Sequence, residues 1–211
     1  MLSGKSSPDE EVIAVPIVDG ELHYWPHAFG ADEAQELFEA LIRSIDWAQE
    51  EIVIFGESKR VPRLVAWHGD SDAGYTYSGT FHEPRAWTAL LESIRRRVER
   101  LSGHCFNSVL LNRYRDGHDG MGWHADDEPE LGRNPAIASV SFGATRRFRL
   151  RHRRRMVEPV TLPLASGSLL LMSGAIQHCW VHAVPKTATP AGERVNLTFR
   201  RILPGVGLLQ Q

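Results

Sequence analysis

Cysteine is nearly missing from this chain: Cys105 and Cys179 are the only two, and they stand apart in unrelated contexts with no CxxC spacing. Two such isolated cysteines fit a reducing compartment better than a disulfide framework. Long apolar runs are missing as well. The opening MLSGKSSPDEE is polar and leads into no stretch of signal or membrane length, so the expectation is a cytoplasmic protein, at the nucleoid if the source is bacterial, with no membrane partner. The third absence is an excess of either charge. With 24 Lys and Arg against 26 Asp and Glu the net charge is −2, so only a local patch could recruit a polyanion. Internal repeats and dividing linkers are absent too, and 211 residues suit one compact domain with a sizeable core.

What is present begins with two helical stripes. From Asp32 to Ile45 the apolar residues Ala34, Leu37, Phe38, Leu41, Ile42 and Ile45 recur at three- and four-residue steps, with Asp32 and Glu33 in the first turn. A second stripe of Trp87, Leu90, Leu91, Ile94, Val98 and Leu101 predicts a helix with Pro84 as its first residue and an end near Gly103. Beyond Gly103 come short β-type runs with no helix between them: NSVLLNRY, IASVSFG, RRFRLRH, VTLPL, SLLLMSG, CWVHAV and RVNLTFRRI. EIVIFG and RLVAW upstream add strands. The fold class is α+β, with N-terminal helices packed on an antiparallel β-sandwich or barrel.

The chemistry concentrates in a few of these runs. In GWHADDE, His124 and Asp126 lie two apart, and on a strand positions i and i+2 share a face. A hydrogen-bonded histidine in a solvated acidic loop has the same spelling. QHCWVHAVP offers His178 and His182, and one further imidazole would complete two histidines and a carboxylate around a metal with open positions, which suits Fe(II) and zinc alike. In RVNLTFR, Arg194, Asn196, Thr198 and Arg200 alternate with Val195, Leu197 and Phe199. Two guanidiniums beside an amide and a hydroxyl make a receptor for a dicarboxylate, the plain alternative being a solvated polar face. LLNRY puts Asn112 and Tyr114 on one face in the same way. In RRFRLRHRRR, Arg147, Arg149, Arg151 and Arg153 share one side of a strand while Phe148, Leu150 and His152 share the other. Such a ribbon neutralises phosphates, or else it keeps a strand edge from aggregating.

Taken in order, LNRY, WHADDE, IASVSFGATRRF, GSLLLM, HCWVHAVP and RVNLTFR resemble the motifs of the AlkB family of Fe(II)- and 2-oxoglutarate-dependent dioxygenases, with VPR, WHGD and YTYSG upstream in the same style. The resemblance covers roughly residues 50 to 202. It implies a double-stranded β-helix (jelly-roll) core over 104–211, helices and nucleotide-recognition strands over 31–103, and a tail and lead-in over 1–30. The iron ligands it implies are His124, Asp126 and His182, since the family's histidine precedes a small-residue, Val/Leu, Pro sequence; His178 then drops out. Arg194 and Arg200 would take the two ends of 2-oxoglutarate, supported by Asn112, Tyr114, Asn196 and Thr198, and O2 would be the remaining co-substrate.

The implied activity is oxidative demethylation of N-alkylated bases such as N1-methyladenine and N3-methylcytosine, in DNA and within reach in RNA, with release of formaldehyde and succinate. That is repair of alkylation damage by a monomeric enzyme. A base must leave its stack to reach buried iron. His124 would cover one face of the base and Tyr77 the other, with Tyr75 and Trp67 as further pocket members. Glu128 would face the exocyclic nitrogen, and Asp127 would hydrogen-bond near the iron. Arg63 and the arginine ribbon would hold the backbone, and Phe55 in IFGES would act as an apolar wedge. IFGESKRVPR is in the style of the family's duplex-repairing branch, whereas DDEPELGR and GATRRF are in that of its single-strand branch. Two other readings use the same residues: a dioxygenase acting on a protein or small molecule, and a non-catalytic β-barrel that binds nucleic acid.

Overall fold

Two amphipathic helices form where the apolar spacing places them, α1 (Ala31–Ser44) and α2 (Ala89–Ser102), in a computed structural model that describes residues 11–54, 57–77, 80–82, 84–189 and 191–203. The start of α2 differs from expectation: it begins at Ala89, not at Pro84. Arg85 is held in extended form against the strand ahead of it, its N–H donating to Trp67 O at 3.0 Å and its carbonyl accepting from Gly69 N–H at 2.9 Å. Thr88 then caps the helix, its Oγ1 accepting from Leu91 N–H. Gly103 ends it at φ 72°, a left-handed conformation that glycine adopts without a Cβ penalty.

The strands are β1 (Ile13–Ala14), β2 (Glu21–Trp25), β3 (Glu51–Ile54), β4 (Glu57–Arg60), β5 (Leu64–Gly69), β6 (Tyr75–Tyr77), β7 (Thr80–His82), β8 (Ser108–Tyr114), β9 (Met121–His124), β10 (Ile137–Gly143), β11 (Arg146–His152), β12 (Val160–Leu164), β13 (Ser168–Ser173), β14 (Trp180–Val184) and β15 (Arg194–Arg200). A four-residue helix, α3 (Ile176–Cys179), joins β13 to β14. Seven strands form one antiparallel sheet in the order β1-β2-β13-β10-β15-β8-β5, and four form a second in the order β12-β11-β14-β9. β3–β4 and β6–β7 are separate hairpins. The segment expected to be only a tail and lead-in thus supplies β1 and β2, with Leu170 pairing with Tyr24. ELHYW is five residues long and offers too little alternation to stand out in sequence.

One face of the large sheet packs on α1 and α2, through Val140, Phe142, Leu197 and Phe199 against Leu41, Leu91, Ile94 and Val98. Its other face meets the small sheet over Ile137, Leu170 and Met172 against Phe148, Leu150 and Trp180. These are the two facing sheets of a jelly roll. Among the described residues β5, bridged only at single positions by Ala48 and Arg85, ends the large sheet and β9 ends the small one, so the sandwich has an open edge between these strands.

β5 also carries a buried histidine. His68 is 5 % exposed, and its Nδ1 lies 2.8 Å from Ala86 O. Burial lowers its pKa from the ordinary 6.5. Above pH 6.5 both folded and unfolded chains hold it neutral; below, the unfolded chain takes up a proton that the folded chain resists. Its stabilising contribution is therefore lost as pH falls. The melting temperature of the parent should drop more between pH 7 and pH 5 than that of His68→Gln; equal drops in thermal scans would refute this.

Candidate active site

β9 and β14 are neighbours in the small sheet, and their register sets His124 directly opposite His182. The two rings lie 4.2 Å apart. His124 Nδ1 is 2.9 Å from Gly122 O, and a carbonyl only accepts, so that nitrogen carries the proton and Nε2 is the free ligand atom. Asp126 joins them: a carboxylate oxygen and the two imidazole nitrogens all lie within 4.8 Å of one another. Two imidazoles and one carboxylate, with His182 and Asp126 buried and His124 half-buried, fit an iron site with open positions.

Strand alternation does not account for Asp126. β9 ends at His124, and residues 125–128 run on as loop. The carboxylate is steered instead by tertiary partners: Arg200 Nη2 donates to Oδ1 at 2.5 Å, and Gln177 Oε1 accepts from the Asp126 N–H at 3.0 Å. Despite complete burial, the Asp126 pKa is lowered to about 2, because Arg200, His182 and His124 favour the anion more than burial opposes it. Burial pushes the His182 pKa down to about 3, and His124 adds to it. The histidine is thus neutral, the form that binds a metal. His178 lies outside this group, on α3, where its exposed Nε2 accepts from Asn134 N–H at 3.2 Å.

β15 is buried on both faces, which removes the solvated alternative for its polar residues. Asn112, Tyr114, Asn196, Thr198 and Arg200 line a narrow cavity beside the three ligands. Asn196 is largely satisfied by the protein, its amide nitrogen donating to Ser139 Oγ and Val140 O and its oxygen accepting from Thr198. Arg194 sits behind Tyr114, with its guanidinium 5.1 Å from the ring. It is 1 % exposed and donates to Ser141 Oγ, while Nε and Nη1 are buried with no partner among the described residues. A buried guanidinium with unused donors fits a carboxylate that the protein itself does not provide.

Nearer the open edge lies a cavity of about 210 Å³, lined by Arg63, Trp67, Met121, His124, Asp126 and Glu128 among others. Glu128 Oε2 is buried there with no partner among the described residues. Arg63, read from the sequence as a backbone contact, is 4 % exposed and donates from Nε to Asn112 Oδ1 at 2.7 Å, so it belongs to the pocket wall. Asp127 also departs from expectation: it faces outward and accepts from Arg153 at 2.7 Å, away from the metal ligands. Tyr75 and Tyr77 lie on β6, but their side chains, like the whole of Phe55, fall outside the described residues.

Arg147, Arg149 and Arg151 are exposed on the outer side of β11, while Phe148 and Leu150 are buried, as alternation predicts. Sequence reasoning passed over Trp123, which is 39 % exposed on this same outer surface, with Arg151 4.4 Å and Arg149 5.8 Å from its ring centre. It alternates with His124 along β9, the one signal that could have found it. Gln177 and the buried Arg146 stand inside QHCWVHAVP and GATRRF but were missed, because nothing in those runs announces their long-range contacts.

Three comparisons bear on this site. Residues 21–200 match the family model described as the 2OG-Fe(II) oxygenase superfamily. The chain is 44% identical over 186 residues to the DNA oxidative demethylase ALKBH2 of Bos taurus, covering 83% of this chain and 67% of that one. It is 44% identical over 185 residues to the protein of the same name from Homo sapiens, covering 83% and 71%. It is 43% identical over 181 residues to the alpha-ketoglutarate-dependent dioxygenase alkB homolog 3 of Bos taurus, covering 82% and 63%. Among solved structures, that of OsALKBH1 superposes with a TM-score of 0.63 at 14% identity, over 90% of this chain and 100% of that one, a likeness of fold.

Proposed function

The chain belongs to the AlkB family of 2OG-Fe(II) oxygenases, and from that premise we propose that it demethylates N-alkylated bases in nucleic acid, N1-methyladenine and N3-methylcytosine being its expected lesions. The observation that carries the substrate reading is Glu128, whose buried Oε2 has no partner among the described residues, in a cavity shared with Trp67 and His124. An unpaired carboxylate oxygen beside an aromatic wall suits a flat cation with an N–H to donate, which is what methylation makes of adenine or cytosine.

In this reading His124, Asp126 and His182 hold Fe(II), and the dicarboxylate of 2-oxoglutarate lies against Arg194, Tyr114 and Asn112, with Arg200, Asn196 and Thr198 around it. Bound iron, with 2-oxoglutarate and O2, would supply the oxidising power to hydroxylate the N-methyl carbon, which would leave as formaldehyde while the co-substrate loses CO2 to become succinate. The rest falls to the protein's own residues. Arg200 keeps Asp126 ionised, Arg63 fixes the Asn112 amide so that its nitrogen remains to face the co-substrate, and Trp67 and Met121 keep the base pocket apolar. A flipped base enters at the open edge between β5 and β9. The strand carrying it meets the arginine-bearing outer face of the small sheet. A cytoplasmic or nucleoid location and action as a monomer belong to the same proposal; among the described residues no helix is long and apolar enough to cross a membrane.

Formaldehyde release from methylated single- and double-stranded DNA and RNA, with Fe(II) and 2-oxoglutarate supplied, tests the reading. Decarboxylation of 2-oxoglutarate with no release from any oligonucleotide would shift it to a protein or small-molecule substrate. Salt-sensitive binding that survives a chelator, with no turnover, would leave only a nucleic-acid-binding barrel. Arg151→Gln should weaken oligonucleotide binding and reduce the slope of log K against log salt by about one. An unchanged slope would take the ribbon out of the interface.

A further inference from the structure

The geometry points to Gln177 as a positioning residue for the metal site, acting through Asp126. This rests on the reading of His124, Asp126 and His182 as iron ligands. Because β9 stops at His124, no strand among the described residues pairs with the backbone at Asp126, and the residue is 3 % exposed. Its N–H needs an acceptor from elsewhere, and Gln177 Oε1 supplies one at 3.0 Å.

Gln177 is built for that one contact. It is 1 % exposed, and its Nε2 is turned away toward Met172 Sδ at 3.7 Å, which fixes the oxygen as the end that faces Asp126. It stands on α3, the four-residue helix that leads directly into β14 and hence to His182. One short element therefore sets two of the three ligands, Asp126 through a side chain and His182 through the chain itself. The next residue, His178, ties α3 to the loop at Asn134, so the helix is braced on its far side as well.

Asp126 is thereby gripped at both ends. Arg200 holds Oδ1, Gln177 holds the backbone N–H, and Oδ2 is left 3.7 Å from His182 Nε2, on the side where a metal would share the two groups. Arg200 alone fixes one oxygen but leaves the loop free to carry the whole residue away. Partners that orient a ligand in this way commonly govern metal affinity.

Titration of the metal-free full-length chain with Mn(II), followed by electron paramagnetic resonance without 2-oxoglutarate or nucleic acid, reads the effect apart from turnover. Gln177→Leu, which cannot accept the N–H, should weaken Mn(II) binding by roughly 10- to 100-fold. Gln177→Glu keeps an acceptor oxygen and should stay within about threefold of the parent. If the leucine variant does not fold, as judged by its melting curve, Gln177→Asn takes its place; it withdraws the amide by one methylene and carries the same expectation. Parent-like Mn(II) affinity in the leucine or asparagine variant would overturn the assignment. So would equal weakening in the glutamate variant, which keeps both the shape of the side chain and an acceptor oxygen. A parent that binds no Mn(II) would instead remove the iron-site reading itself.

Discussion

His182→Ala should abolish formaldehyde release, by about a thousandfold or more, while His178→Ala stays within a few-fold of the parent, because only the first removes a group that holds the reacting metal. The two histidines are four positions apart and share a run that alternates like a strand, yet the fold separates them. His178 sits in the short helix, exposed, with its Nε2 taken by Asn134 N–H. His182 is 5 % exposed in β14, opposite His124. Loss of His178 costs one exposed hydrogen bond, about 1 kcal/mol of stability. Loss of His182 leaves His124 and Asp126 with a metal held by two protein groups. Mn(II) titration of both metal-free variants should follow the same order. Full activity in both single variants would mean that the iron site is wrongly placed.

The separation of those histidines shows where sequence pattern stops being informative. Period-two alternation placed Arg194, Asn196, Thr198 and Arg200 on one side of a strand correctly, because β15 is regular throughout and its register to β8 sets Arg194 by Tyr114 and Asn196 by Asn112. The same rule gave the right grouping of His124 with Asp126 for the wrong reason, since the strand ends between them and long-range partners finish the job. Glu128 reaches the cavity from a loop and a turn at Pro129, not from a continued strand face. Arg63 looked like a surface cation because nothing in VPR announces burial; its place follows from Asn112, 49 positions along the chain. Contacts of that separation, like the Gln177 contact to Asp126, leave no periodic trace. The helices and the core strands were legible because each buries a full apolar face, whereas β1 and β2 are short additions at a sheet edge.

Arg194→Met should raise the KM for 2-oxoglutarate by roughly 30- to 3000-fold, with kcat at saturation changed far less, since truncating one side of a buried charge pair costs about 2–5 kcal/mol. Arg194 has no carboxylate partner among the described residues, and burial lowers its pKa, with Tyr114 opposing the shift and the Arg146 cation adding to it. Arg146 cannot relieve it. Its own guanidinium, 5.7 Å from the Tyr114 ring, donates to the carbonyls of Asp116, Asp119 and Pro185, which brings a second buried positive charge near the first. Two cations around one tyrosine are a cost to the empty protein and an attraction for a dianion. The two sides of that account predict opposite signs in one variant. Without co-substrate, Arg194→Met should melt at the same temperature as the parent or higher, because a buried charge only partly offset by Tyr114 and Ser141 has been replaced by an apolar chain of similar length. Binding of 2-oxoglutarate should fall at the same time. Arg194→Lys should recover part of the affinity but not all, because an ammonium lacks the paired donors of the guanidinium fork. An unchanged KM in the methionine variant would exclude Arg194 from the co-substrate site. A large fall in its melting temperature would show that the charge is already paired in the empty protein.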